Sequence, residues 1–282
     1  MLNTFTVKKS LNNNVLIALD NQQNEVVLIG NGIGFHYKKK DIIHKEQIEK
    51  LFVLRDEQAQ AQYKQLLPNI DHTLLDSIVK AVELIQKRSH VMLNESVHVA
   101  LTDHVLFAYH RMLKGLEIKN PFLAETKALY PFEYEIASEI VEDMNHRLNI
   151  HLPEGEIGFI ALHVHSAISN KALSDINKYS QLVTQFVDII EEQLKIKVDR
   201  GGIEYVRLVR HVRYTIERVL KGETVDEPVK IASLLKKEYP TCYNLAWKLI
   251  KMMQQTLKQP VYEAEAVYLT MHLQRLYQKH DS

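Results

Sequence analysis

Two copies of one module are written into this chain, and that duplication limits its fold more than any other feature. Leu101-Thr-Asp-His-Val105 returns as Leu208-Val-Arg-His-Val212 after 107 residues. Three later landmarks return after 109: Tyr130-Pro131 as Tyr239-Pro240, Glu154-Gly-Glu156 as Glu263-Ala-Glu265, and Ala161-Leu-His163 as Thr270-Met-His272. One two-residue insertion reconciles the offsets. A repeat of about 110 residues is domain-sized and far exceeds the period of a solenoid. Each copy therefore reads as an independent module with one histidine early and one late.

The periodicity around the repeats is helical, and the segment before them is not. Asp71 to Arg88 places Leu74, Leu75, Ile78, Val79, Val82 and Ile85 on one helical face. The next helix is expected from Asn94, with Val97, Leu101, His104, Val105 and Ala108 on its inner side. Pro153-Glu-Gly-Glu156 reads as a helix start, with acids at the positive end of the dipole. Gly201-Gly202 precedes the helix of His211, and Pro240 and Pro260 open the last two helices. From Thr4 to Leu54 the period is close to two. Phe5-Thr-Val7, Val15–Leu19, Glu25–Ile29 and Lys50–Leu54 are β-rich runs separated by Asn12-Asn-Asn14, Asp20–Asn24 and Gly30-Asn-Gly32. The expected architecture is multidomain: a small N-terminal all-β antiparallel sheet of about four strands (1–58), then two homologous all-α helical-bundle domains, 59–172 and 173–282. A fifty-residue sheet has a marginal core and open edges, so dimerisation would stabilise it.

Composition removes several function classes. The apolar runs are broken by charges every few residues, which argues against a membrane span. The N-terminus has no signal-peptide pattern, and the single cysteine, Cys242, permits neither an intrachain disulfide nor a cysteine zinc site. The expected compartment is the cytoplasm. A net charge of zero conceals an uneven distribution: residues 1–55 carry eight Lys/Arg against five Asp/Glu, residues 56–172 ten against sixteen, and residues 173–282 seventeen against fourteen. The small basic N-terminal piece could meet a polyanion, although a surplus of three charges is weak evidence for one.

The duplicated histidines, His104, His163, His211 and His272, admit three readings. Taken singly, each is a half-buried residue on an amphipathic helix. A metal site is disfavoured because His163 and His165, two apart on a helix, face different ways, and no HExxH spacing occurs. The third reading is phosphoryl acceptance, since neutral imidazole is a good nucleophile near neutral pH. Recurrence at equivalent positions favours a shared role. Asp103 adjoins His104, but adjacent helical side chains diverge by about 100°, so its part stays open. Around His211 the setting is cationic, with Arg207 and Arg218 on its face and Arg210 and Arg213 beside it, a setting suited to a phosphate. The first copy's equivalent neighbours read as mostly apolar, which implies different donors or consequences.

Long ordered stretches now carry a resemblance: Lys9, Leu11-Asn-Asn-Asn14 and Val27-Leu-Ile-Gly-Asn-Gly-Ile-Gly-Phe35 in the first segment; Leu101-Thr-Asp-His104 and Pro153 to His163 in the first module; Arg210-His211 and Glu263 to His272 in the second. Over essentially all 282 residues the chain resembles the bacterial sugar-operon transcriptional antiterminators of the BglG/SacY/LicT family, above all their glucose-operon branch. The resemblance implies an RNA-binding domain followed by two domains read by the phosphoenolpyruvate:sugar phosphotransferase system. It implies a homodimer that binds an imperfect hairpin in leader mRNA and so excludes a terminator, with contacts at Lys9, Asn14, Gly30, Asn31 and Phe35. Where this chain has Asn31 the family pattern is usually basic. His104 and His163 would take phosphate through the glucose permease, and His211 and His272 from the phosphocarrier HPr. No cofactor, metal or catalytic residue is implied. An acid–base or phosphotransfer enzyme is the rival. It is disfavoured because the histidines belong to separate modules and neither a phosphate-cradling glycine loop nor a nucleophile elbow is present. A helix-turn-helix DNA reader is disfavoured because the basic segment reads as strands.

Overall fold

The computed structural model describes residues 4–53, 57–93, 95–224 and 229–279. It divides into two compact units, Met1–Lys119 with Glu135–Asn170, and Asn120–Tyr134 with Lys171–Ser282.

The first unit opens with strands β1 (Thr4–Asn12), β2 (Val15–Leu19), β3 (Glu25–Ile29), β4 (Ile42–His44) and β5 (Lys50–Val53), with the short helix α1 (Ile33–His36) between β3 and β4. They form one antiparallel sheet in the order β4-β1-β2-β3-β5. Position in the sheet explains the residue pattern. β2 and β3 are central and buried on both faces, so Val15 to Ala18 and Val26 to Ile29 run apolar without alternation. β1 begins by alternating, Phe5 and Val7 inward and Thr6 and Lys8 outward. One face gathers Phe5, Val7, Leu16, Ala18, Val26, Leu28, Ile33 and Ile43 into a core. The sheet thus has five strands where the sequence led us to expect about four. The addition, β4, pairs with Thr4–Thr6 and is too short for alternation to register. Leu54, expected to end the last strand, lies outside the described residues.

The helices of this unit are α2 (Glu57–Leu66), α3 (His72–Ser89), α4 (Glu95–Leu113), then, after α5 (Leu123–Leu129), most of α6 (Pro131–Leu148) and all of α7 (Glu154–Ser169). Asp71 caps α3 by accepting from the Leu74 amide at 2.9 Å, and the expected apolar face of α3 is buried. The expected start of α4 at Asn94 lies outside the described residues. Helix α4 packs on α2, α3 and α7. A 3-10 turn, Leu67–Asn69, joins α2 to α3 and packs on β1, where Asn12 Nδ2 donates to the carbonyls of Leu67 (2.8 Å) and Ile70 (3.1 Å).

The second unit comprises α5, α8 (Leu173–Leu194), α9 (Ile203–Lys221), α10 (Val229–Glu238), α11 (Pro240–Leu257) and α12 (Glu263–Gln278). Helix α12 packs on α9, α10 and α11, and α5 packs on α8 and α9. A pair between the buried Glu125 and Arg200 (2.8 Å) anchors α5. Residues 120–134, read from the sequence within the first helical domain, therefore group with the second unit. The duplication reaches the backbone: Tyr130 and Tyr239, each before the proline that opens a helix, have φ/ψ of −130°/58° and −130°/56°. The last helix begins at Glu263, three residues past Pro260. Among the described residues no helix is long and apolar enough to cross a membrane.

Candidate functional site: two repeated histidine clusters and a β-sheet loop

In the first unit the buried stripe of α4, Val97, Leu101, Val105 and Ala108, leaves His104 at the edge of the core with 16% of its side chain exposed. Helix α7 presents Glu156 from its first turn, fully buried, and His163 two turns further on. Glu156 Oε2 lies 3.1 Å from His104 Nε2, and Oε1 binds the guanidinium of Arg111, itself two turns beyond His104 on α4. The Arg111 guanidinium also sits 5.1 Å from the centre of the Phe107 ring. The His104 and His163 rings lie 4.9 Å apart, centroid to centroid, inclined by 40°.

Those contacts decide the protonation pattern. A carboxylate bound to an arginine is ionised and can only accept hydrogen bonds. His104 Nε2 is therefore the protonated nitrogen and Nδ1 carries the free lone pair, an assignment that follows from the hydrogen-bond network. Burial first, and then repulsion from any positive charge on the His104 ring, push His163 down to about 3, so its ring is neutral at neutral pH.

The second unit repeats the cluster. His211 on α9 lies 3.4 Å from Glu265 Oε2 on α12, and its ring centroid is 4.9 Å from that of His272 at an inclination of 33°. Arg218 donates to Glu265 Oε1 from Nη2 (2.7 Å) and Nε (3.0 Å), while the Thr215 hydroxyl donates to Oε2 at 2.8 Å. An aromatic ring flanks each early histidine, Phe159 at 5.9 Å from His104 and Tyr268 at 6.1 Å from His211. Burial, then His272 and Arg218, push His211 down to about 3. His272 is also lowered, first by burial and then by Arg275 and Arg207 against the opposing Glu204. Among the described residues its Nδ1 is buried without a hydrogen-bond partner.

This geometry brings each early histidine to its late one and corrects two expectations. The partner of His104 is Glu156 from another helix, while adjacent Asp103 is exposed. The surroundings of His104 also include a cation, because Arg111 is the counterpart of Arg218 at the same offset of 107. What distinguishes the second copy is the extra charge of Arg207 and Arg210, which replace Ala100 and Asp103. Glu156, Glu265 and Arg111 were missed as site residues. Their signal lies in the repeat itself: a histidine and an arginine seven apart on each early helix, a glutamate and a histidine seven apart on each late one.

On the sheet, the residues expected to meet RNA divide into two groups. Asn14 and Gly30 build the loop: Asn14 Oδ1 accepts from the Gly32 amide at 2.9 Å, and its carbonyl accepts from the Gly30 amide at 3.0 Å. Gly32 has φ +71°, and Gly34 packs so closely that a Cβ there would sit 1.8 Å from the Asn12 carbonyl oxygen. Lys9, Asn31 and Phe35 project from this framework. Phe35 is 76% exposed, and Asn31 is held by its amide donating to Glu49 Oε1 at 3.0 Å.

Comparison with known proteins matches the N-terminal sheet and each of the two repeated helical copies. The family described as "CAT RNA binding domain" matches residues 5–61, and that described as "PRD domain" matches residues 79–167 and again 184–276. The chain is 53% identical over 279 residues to the "PtsGHI operon antiterminator" of Bacillus subtilis (strain 168), covering 99% of each chain. It is 42% identical over 282 residues to the "GlcA/glcB genes antiterminator" of Staphylococcus carnosus (strain TM300), covering 99% of this chain and 98% of the other. Among solved structures, "Crystal structure of GlcT CAT-PRDI" matches with a TM-score of 0.53 and 52% identity, over 59% of this chain and 99% of that one.

Proposed function

The chain belongs to the transcription antiterminators built from a CAT RNA-binding domain and two PRD domains, and from that premise we propose that it is an RNA-binding antiterminator of a glucose phosphotransferase operon, switched by phosphoryl transfer to its paired histidines. It acts in the cytoplasm as a regulator and not as an enzyme. Residues 1–58 hold a leader-mRNA hairpin, as a homodimer, and residues 59–172 and 173–282 receive the signal. In this reading Phe35 offers a stacking face to an unpaired base, while Lys9 and Asn31 offer donors, and the loop fixed by Asn14 and Gly30 sets their positions.

The carrying observation is the repeated His–Glu–Arg arrangement with a second histidine 4.9 Å away. The unprotonated Nδ1 of His104 or His211 attacks the phosphorus of a donor phosphohistidine. A new N–P bond forms as the donor's N–P bond breaks, and the leaving imidazole takes the electron pair. The proton stays on Nε2, where Glu156 or Glu265 stabilises the positive charge that develops on the accepting ring. Arg111 or Arg218 is the nearby counter-charge for the phosphoryl group. The neutral rings of His163 and His272 are the second acceptors of each pair. HPr and the glucose permease are the proposed donors, the permease acting on the first module and HPr on the second.

A phosphoryl group adds a charge of roughly −1.5 to −2 beside a buried carboxylate. The resulting repulsion and desolvation cost reorganise the helix pair and thereby weaken the RNA-competent dimer. Incubation with phosphoenolpyruvate, enzyme I, HPr and the glucose permease, followed by phosphopeptide mapping under neutral conditions, tests the transfer. Label is expected on His104, His163, His211 or His272, and label on none of them would refute it. A gel shift with the leader hairpin of a ptsGHI-type operon against duplex DNA tests the target.

A further inference from the structure

A basic turn beside the RNA loop belongs to neither group of contact residues described above. After α1 the chain runs Lys38-Lys39-Lys40-Asp41, with all three lysines exposed. Among the described residues none of the three, nor Lys9, has an ion-pair partner. Their neighbours differ: Lys8 and Lys64 both pair with Glu25, and Lys50 pairs with Glu83. The turn is nevertheless tightly held. The Lys38 amide donates to Asp41 Oδ2 at 2.7 Å, the Lys40 amide to the Val7 carbonyl at 2.7 Å, and the Val7 amide to the Asp41 carbonyl at 2.9 Å. Lys40 sits at φ +81°, a left-handed conformation that favours glycine and disfavours a long side chain. The turn therefore keeps a third adjacent ammonium group at a position where the backbone favours its removal.

The sheet fixes where these charges stand. β4 pairs with β1 only at Thr4–Thr6, and beyond it the outer edge of β1 first meets the lysine turn at Val7. Three residues on, the Ser10 hydroxyl donates to the Gly34 carbonyl at 3.1 Å, next to Phe35. At a rise of about 3.3 Å per residue, shortened by the irregularity between Val7 and Lys9, the two attachment points are separated by at most roughly 10 Å, with Lys9 between them. Four exposed lysines without ion-pair partners among the described residues thus stand along one sheet edge, on the stretch of the sheet to which the segment carrying the exposed Phe35 is tied. Stacking holds a base, while ammonium groups bind backbone phosphate.

We propose that Lys38, Lys39 and Lys40, together with Lys9, form a phosphate-binding subsite for the RNA backbone that flanks the base stacked on Phe35. The proposal rests on the RNA-binding reading of this sheet. It assigns the turn a sequence-independent share of affinity, visible as salt dependence, because each phosphate neutralised contributes about 0.7–0.9 to the slope of log K against log salt.

The test is fluorescence-anisotropy titration of the full-length protein with the ptsGHI-type leader hairpin over a range of salt concentrations. For K38Q/K39Q/K40Q the slope should become shallower by about 2, and affinity near ~0.1 M salt should fall on the order of a hundredfold. K40G, which suits the left-handed backbone, should stay folded and lose about one unit of slope or less. F35A should lose affinity at unchanged slope, and K236Q/K237Q, on exposed α10 positions, should match wild type. If the triple variant melts like wild type and keeps the wild-type slope while F35A is weakened, the turn is a solvated surface and the subsite is wrong, with the RNA reading intact. No saturable RNA binding by the wild-type protein would refute that reading and this inference together.

Discussion

His104 and His163, 59 positions apart in sequence and on different helices, bring their imidazole rings to a centroid separation of 4.9 Å, and His211 and His272 repeat that separation in the second unit. Two imidazoles this close repel if both are protonated, so each pair is built to hold at most one positive ring. The buried glutamate beside the early histidine determines which nitrogen stays free.

The first prediction concerns pH. His163 and His211 are depressed to about 3 in the folded chain, against about 6.5 when unfolded. Between those values the unfolded state binds more protons, so stability falls as pH drops from about 6.5 toward 3. The contribution is complete above about 6.5. Urea unfolding of wild type should show a lower midpoint at pH 5 than at pH 7, and H163Q/H211Q should lose less over the same interval. Equal losses would mean that these histidines charge freely in the native state.

The second concerns the buried carboxylates. Glu156→Gln removes one partner of a pair in which Glu156 is fully buried and Arg111 nearly so. Stranding the arginine should cost about 3 kcal/mol. Glu265→Gln should cost less, because Arg218 is 30% exposed and Thr215 can still donate to the amide oxygen. Both variants should accept phosphate more slowly, by roughly a hundredfold, at the adjoining early histidine, since the ring loses its fixed tautomer and its charge partner. Wild-type rates with retained structure would remove the glutamates from the transfer.

The third separates loop architecture from contact. At Gly34 an added methyl would meet the Asn12 carbonyl oxygen at 1.8 Å, whereas at Gly115, φ +67°, nothing lies within 4 Å. Gly34→Ala should destabilise the sheet by more than about 2 kcal/mol and abolish RNA binding, while Gly115→Ala should cost only about 1 kcal/mol and leave it intact. Thermal melts paired with RNA titration compare them directly. Full RNA affinity in Gly34→Ala would mean that the loop is not the binding element.

How much of this was legible in the sequence depended on whether the cause was local. The apolar runs of β2 and β3 and the buried face of α3 follow from neighbouring residues, and all were readable. β4 was not, because Ile42 and Ile43 are too few to establish a period. Nor was the grouping of α5 with the second unit, since an apolar face does not specify the bundle that receives it. The four histidines emerged from repetition. Their glutamates lie 52 and 54 positions from His104 and His211, and only close alignment of the two copies reveals them. Asn14 and Gly30 were read as RNA contacts, and their hydrogen bonds show that they build the loop that presents Phe35.

The central claim is that phosphate on these histidine pairs controls RNA binding through the dimer. The most direct measurement follows the mass by sedimentation and the leader-hairpin affinity of the same samples, for unmodified protein, protein phosphorylated through the glucose permease, and His104→Asp. Unmodified protein should be a dimer that binds the hairpin, and the other two should lose dimer stability and RNA affinity together. Full RNA affinity in the phosphorylated protein, or loss of affinity in a species that remains wholly dimeric, would contradict the account.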